Sequence, residues 1–188
     1  MTNHVLSPAR HEDARDIARL YRIASDGVSD YVWSKQARPG QHILDVGQAR
    51  YEREETSFSY QNCTVARTNN EVAGLLMTFP QQADPSSEPD PILRPYSLLE
   101  ENDSYYIAGV ALFPEYRCQG IGSQFMALAE EKAHKIGLHK TSLIVFSANL
   151  GGKQLYDRLG YEERARETII PHPLIRSSGE AILMVKNL

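Results

Sequence analysis

Arg117, Cys118, Gln119, Gly120, Ile121 and Gly122 stand in a row, and their order says what they can bind. Two glycines spaced this way let a bulky anion come close to backbone N–H groups. If a helix starts here, its first N–H groups have no intrahelical partner. The helix dipole adds its own attraction for negative charge. The run therefore reads as an anion cradle, with a diphosphate as the expected guest. Two other phosphate motifs can be set aside. A dinucleotide fingerprint needs a third glycine where this chain has Phe125, and no Gly-Lys-Ser/Thr triplet of a P-loop occurs.

The cradle needs elements on both sides to hold it. Tyr105 to Phe113 carries no charge and is rich in aromatic and branched residues, which predicts a buried strand. Pro114 ends it, because proline cannot donate to a ladder. After Gly120, the apolar positions Ile121, Phe125, Leu128, Ala129 and Ile136 recur at helical spacing, and Gly137 stands where a C-terminal cap belongs. The unit is strand, turn, helix. A second such unit follows. Thr141 to Phe146 predicts a buried strand, and Asn149 then leads into a helix with Leu150, Leu155, Tyr156 and Leu159 apolar and Gly160 as its cap.

These two blocks together resemble the GCN5-related N-acetyltransferase (GNAT) family. Its coenzyme A signature is Gln/Arg-x-x-Gly-x-Gly/Ala, matched by Arg117, Gly120 and Gly122. Its second motif, Asn-x-x-Ala-x-x-x-Tyr-x-x-x-Gly-Phe/Tyr, is matched by Asn149, Tyr156, Gly160 and Tyr161, with Gly152 and Lys153 as departures. The resemblance covers roughly Val72 to Ile170. It implies an α/β (α+β) fold: a mixed, mostly antiparallel sheet flanked by helices, whose parallel fourth and fifth strands splay apart to admit pantetheine. It implies acetyl-CoA as co-substrate and an amine as acceptor. The backbone of Val110, Ala111 and Leu112 is then expected to meet pantetheine, with Val110 or Leu112 N–H polarising the thioester carbonyl. Arg117, Cys118, Gln119, Gly120, Ile121, Gly122 and Ser123 are expected to hold the diphosphate, and Asn149 to contact the cofactor. Tyr156 is the expected general acid for the leaving thiolate.

The same resemblance leaves the general base open. The family's glutamate positions hold Tyr105 or Tyr106 on one strand and Ile144 on the next, so Glu101, Asp103, Glu55 or a water chain remain. Cys118 is either an incidental surface thiol or one activated by the helix N-terminus. Transfer to a small cationic amine is the expected reaction. The alternatives are transfer to a protein N-terminus or lysine, and a non-catalytic acyl-CoA sensor.

Length and composition agree with one globular domain over residues 1–188, which the resemblance implies is an N-acetyltransferase domain. A hydrophobic content of 41% and a charged content of 23% are those of a globular protein. A net charge of −4 argues against nucleic acid as a partner. No apolar run is long enough to span a bilayer, and no signal-peptide core begins the chain, so a cytoplasmic location is expected. Cys63 and Cys118 are expected as free thiols, and no Cys/His cluster suggests a metal. Self-association into a homodimer is left open.

Along the rest of the chain, His4 to Ser7 predicts a short strand stopped by Pro8, and Glu12-Asp13 open a helix. Further helices are expected over Ser25 to Ser34 and Gln41 to Arg53, with Tyr31, Trp33 and Tyr51 either in the core or walling an acceptor pocket. Cys63 to Arg67 and Val72 to Phe79 predict a hairpin. Between Pro80 and Ser104 lies an insertion with Pro80, Pro85, Pro89, Pro91 and Pro95. It carries six acids (Asp84, Glu88, Asp90, Glu100, Glu101, Asp103) against Arg94, with one helical turn predicted near Tyr96 to Leu99. It is either a solvated decoration or a lure for a cationic acceptor.

Overall fold

A computed structural model of the chain describes residues 4–82 and 88–188. Asp84 and Pro85 of the acidic insertion lie outside the described residues. Seven strands form one mixed sheet in the order β1-β2-β3-β4-β5-β7-β6. They are β1 (Val5–Pro8), β2 (Cys63–Thr68), β3 (Glu71–Gln81), β4 (Ser104–Leu112), β5 (Lys140–Phe146), β6 (Glu162–Thr168) and β7 (Glu180–Asn187). Its helices are α1 (Ala14–Ala24), α2 (Val28–Ser34), α3 (Ile43–Tyr51), α4 (Arg94–Ser97), α5 (Ile121–Lys135) and α6 (Leu150–Arg158). The pairs β1–β2, β2–β3, β5–β7 and β6–β7 run antiparallel, and β4–β5 runs parallel. Among the described residues no helix is long and apolar enough to cross a membrane.

The chain divides into two compact units. The first takes the chain up to Thr78 together with Gly109–Phe125. In it, α1 lays Ala14, Ile17, Ala18 and Leu20 into a core shared with Trp33, Val46 and Tyr51. Entry into α1 is fixed by Asp13, whose buried carboxylate accepts from the Arg10 N–H at 2.7 Å and from the Arg67 guanidinium at 2.6 Å. The helix α2 begins later than periodicity suggested, at Val28, because Asp26 and Gly27 take left-handed φ values of 47° and 97°. Trp33 and Tyr51, open between core and pocket wall on sequence grounds, are both core residues at 1% and 0% exposure.

The second unit comprises Phe79–Ala108 and Met126–Leu188. Here β7 is the central strand, buried from Ala181 to Val185 and paired along its length with β5 and for most of it with β6. Two details differ from expectation. The strand β3 runs through Pro80 to Gln81, since a proline needs only a position whose N–H the ladder does not use. Ile136 is 54% exposed, because α5 ends at Lys135 and helical spacing no longer applies to it. The end itself is a Schellman turn: Leu138 N–H reaches Ala133 O at 3.0 Å, Gly137 N–H reaches His134 O at 3.0 Å, and Gly137 has φ +76°.

Trp33 sits where Gly47 has no side chain. A Cβ built on Gly47 would lie 2.6 Å from the Trp33 ring, which has no room to retreat. Gly47→Ala should therefore destabilise the protein by about 1–3 kcal/mol, the usual cost of overpacking a core. Thermal unfolding checks this, and an unchanged midpoint would mean the α3 core is looser than described.

Candidate active site

Two parts of the predicted site occur in separate units, and each is built on its own. The first unit brings together Val110, Ala111 and Leu112 with the turn Arg117–Gly120 and the start of α5. Leu112 is held by what its neighbour lacks. A Cβ on Gly74 of β3 would meet Leu112 Cδ2 at 2.3 Å and the Ala111 carbonyl oxygen at 3.0 Å, so only glycine lets β4 close this tightly. The Phe113 N–H then reaches Ala73 O at 3.0 Å and fixes where the strand stops. One residue before Val110, Gly109 lies flush against the Tyr21 ring, which a Cβ would meet at 3.0 Å. Sequence patterning marks these glycines only as small residues. Their role shows once the opposing side chain is known.

The turn that follows is shaped by two left-handed residues, Cys118 at φ 59° and Gly120 at φ +83°. Arg117, Cys118, Gln119 and Gly120 are all exposed, while Ile121 and Phe125 are buried and pin the first turn of α5 to the core. Gly120 O accepts from Gln124 N–H at 3.2 Å, so α5 winds directly out of the turn. A Cβ on Gly120 would meet nothing within 4 Å, which leaves the space over its Cα clear. Arg117 Nε donates to Leu112 O at 3.2 Å, and Gln119 Nε2 donates to Glu115 O at 3.2 Å. These bonds fold the turn back on the end of β4. The turn therefore leads straight into the N-terminus of α5, whose first N–H groups have no intrahelical partner.

The second unit brings together Asn149 and Tyr156, seven residues apart on α6. Asn149 is the N-cap, its Oδ1 accepting from Gly152 N–H at 3.0 Å. A Cβ at Gly152 would lie 2.6 Å from the Asn149 amide, which would have to shift to make room. Tyr156 keeps part of its surface exposed, yet desolvation raises its phenol to about 12. It therefore holds its proton throughout the neutral range.

The parallel ladder belongs to the second unit too. It pairs Tyr105, Tyr106 and Ile107 with Thr141, Ser142 and Leu143, and it ends there although β4 runs on to Leu112. At its start the ladder is fastened by the buried hydroxyl pair Ser104–Ser142 at 2.6 Å, by Ser104 Oγ donating to Glu101 O at 2.7 Å, and by the Lys140–Glu101 ion pair at 2.5 Å.

That ion pair bears on the base candidates. Glu101 is committed to Lys140, so its charge anchors β5. Glu100 is half-buried, and desolvation raises its carboxyl above the ordinary value, partly offset by the 3.0 Å bond from Gln81. Asp103 is exposed at φ 54°, and Glu55 is exposed in the first unit with φ 55°. Cys118 is exposed, and Cys63 is buried with its Sγ donating to Ser59 O at 3.3 Å; among the described residues neither forms a disulfide. Among the described residues no group of three His, Cys, Asp or Glu side chains converges as a metal site would require.

Tyr21 in the first unit and Tyr156 in the second are both raised from 10.0 to about 12, chiefly by desolvation. Each folded pKa lies above its unfolded value, so the stability these phenols contribute is complete below pH 10 and lost as pH climbs toward 12. The thermal midpoint should fall across that window, and more steeply for wild type than for a Tyr21→Phe, Tyr156→Phe double variant. Equal slopes would mean the two phenols are solvated.

The family pattern described as "Acetyltransferase (GNAT) family" matches residues 26–161, more than half of the chain. A curated relative, the uncharacterized N-acetyltransferase YycN of Bacillus subtilis (strain 168), is 33% identical over 58 residues. That match spans 31% of this chain and 37% of the relative, about a third of its length. Solved structures agree on the fold. An N-acetyltransferase from Staphylococcus aureus Mu50 superposes with a TM-score of 0.69 at 20% identity, covering 97% of this chain and all of the other. A mosquito arylalkylamine N-acetyltransferase like 5b gives 0.70 at 19% identity, over 99% and 100% of the two chains. A GNAT family acetyltransferase from Elizabethkingia anophelis, solved with acetyl-CoA bound, gives 0.61 at 16% identity over the whole of both.

Proposed function

Since the chain belongs to the GNAT acetyltransferase family, we propose that it transfers an acetyl group from acetyl-CoA to a primary amine, as one N-acetyltransferase domain over residues 1–188. The observation that carries this reading is the turn after β4. It is left-handed at Cys118 and Gly120, clear above Gly120, and continuous with the N-terminus of α5. Those features fit a coenzyme diphosphate, with Arg117 to Ser123 as its holders. The bound co-substrate supplies an activated acetyl thioester. On the β5 side of the strand, Val110, Ala111 and Leu112 lie beyond the last β4–β5 pair, Ile107–Leu143. The amides of a pantetheine arm would pair there, and the Val110 or Leu112 N–H is the candidate for polarising the thioester carbonyl.

Tyr156 supplies the proton that the leaving thiolate needs. Its raised pKa keeps the phenol neutral at working pH, the condition for an acid. Asn149, whose Oδ1 caps α6, still has its amide N–H groups for the cofactor. The preferred acceptor is a small cationic amine, supported by the net charge of −4 and by the acids between Pro80 and Ser104. Lys140 pairs with Glu101, so Glu101 contributes little to that attraction.

Release of coenzyme A, followed with a thiol reagent, should identify the acceptor from a panel of spermidine, 2-phenylethylamine, kanamycin and a peptide with a free N-terminus. Release above the amine-free rate supports transfer, whereas none with any amine, despite acetyl-CoA binding, would leave a sensor. Gly120→Val should abolish acetyl-CoA binding by calorimetry while the fold survives. The left-handed backbone costs a branched residue only about 1–2 kcal/mol, but the side chain fills the space over the cradle. Wild-type affinity in this variant would reject the diphosphate assignment. Tyr156→Phe should lower kcat about a hundredfold with little change in the KM for acetyl-CoA, because only a proton donor is lost. Full turnover would move that role to another group.

A further inference from the structure

The sequence spacing Tyr156-x-x-x-Gly160-Tyr161 has a physical origin that the proton-donor role does not require. Tyr161 N–H reaches Tyr156 O at 3.0 Å, Gly160 N–H reaches Asp157 O at 3.1 Å, and Gly160 has φ +85°. This is a Schellman turn, in which the residue after the glycine folds back on the residue five positions earlier. The two side chains so brought together are rings: Tyr156 and Tyr161 lie 6.0 Å apart between centroids, inclined at 59°.

Tyr161 is itself held from three other elements. Thr141 Oγ1 on β5 donates to the Tyr161 hydroxyl at 2.9 Å. The Lys186 ammonium on β7 lies 5.9 Å from the Tyr161 ring centroid. Lys186 is fixed in turn by both carboxylate oxygens of Glu130 on α5, each at 2.8 Å. Tyr161 is 3% exposed, whereas Tyr156 keeps part of its surface open. One ring is therefore immobilised by β5, β7 and α5, and the other leans on it.

We propose that Tyr161 is a positioning residue for Tyr156, setting the direction of its phenol through the ring contact that the turn after α6 enforces. The inference rests on the reading of Tyr156 as proton donor. A donor must meet the developing thiolate at hydrogen-bond distance, and displacement of about 1 Å can cost up to about a hundredfold in rate. An aliphatic side chain in place of Tyr161 leaves the turn intact but gives Tyr156 room to tilt.

The test is a double-mutant cycle on kcat, using acetyl-CoA and whichever amine of the panel gives the greatest coenzyme A release. Tyr161→Leu should lower kcat on the order of tenfold while leaving the KM for acetyl-CoA unchanged, and Tyr161→Phe, which keeps the ring, should restore most of it. In a Tyr156→Phe background, Tyr161→Leu should cost nothing further, because no phenol remains to be aimed. The same loss in both backgrounds would overturn the inference and leave the donor reading standing. Full turnover of Tyr156→Phe by itself would sink the donor reading and this inference with it. If circular dichroism shows Tyr161→Leu unfolded, Tyr161→Met, whose flexible side chain fills the gap without offering a ring to lean on, replaces it. The same two outcomes then decide: a loss of kcat confined to the wild-type background supports the inference, and a loss in both backgrounds, or in neither, overturns it.

Discussion

The short parallel ladder between β4 and β5 is the constraint from which the rest of the arrangement follows. Three residue pairs are joined, from Tyr105–Thr141 to Ile107–Leu143, and the fastening is concentrated at their start. Ser104 and Ser142 share a buried hydrogen bond, Ser104 also ties to Glu101 O, and Lys140 pairs with Glu101. A buried hydroxyl pair that lost one member would leave the other unsatisfied, at a cost of about 1–3 kcal/mol. Beyond Ile107 this ladder no longer engages β4, while β5 stays paired to β7 as far as Phe146–Ala181. The strand that leads into the turn is thus fastened to β5 at its beginning and no longer paired with it from Ala108 to Leu112.

Glycines do much of the shaping, in two distinct ways. At Gly47, Gly74 and Gly109 the missing side chain is replaced by a neighbour's: Trp33, Leu112 and Tyr21 respectively. At Gly120, Gly137 and Gly160 the φ values of +83°, +76° and +85° are what matter, since other residues rarely adopt them. Two of these end α5 and α6 in the same hydrogen-bonded turn, and the third begins α5. Cys118, at φ 59°, takes a left-handed conformation without being glycine, among the positions proposed to hold a diphosphate.

Much of this was legible in the sequence. Strand, turn and helix from Tyr105 to Lys135 follow from an uncharged aromatic and branched run, a proline and helical spacing, and β4 and α5 occupy those positions. The hairpin from Cys63 to Phe79 was legible for the same reason. Periodicity failed where long-range contacts decide. It could not say that Trp33 fills the space over Gly47, so the aromatics near it remained open between core and pocket. It counted Glu101 among free acids, because its partner Lys140 is distant in sequence and near only in the sheet. It extended the apolar stripe of α5 to Ile136, which a cap places outside the helix. The Tyr156–Tyr161 contact was visible only as a family spacing, and hydrogen bonds at the end of α6 give it a cause.

In the proposed function, the backbone from Val110 to Leu112 and from Cys118 to Ser123 forms a single cofactor-binding surface. Titrating acetyl-CoA into isotopically labelled protein and following backbone amide resonances tests it most directly. The amides of Val110, Ala111, Leu112, Gln119, Gly120, Ile121, Gly122 and Ser123 should shift together with one dissociation constant. Adenosine 3′,5′-bisphosphate, which lacks both the diphosphate and the pantetheine arm, should leave Val110 to Leu112 unmoved. Saturable acetyl-CoA binding that shifts other amides and spares these two stretches would contradict it.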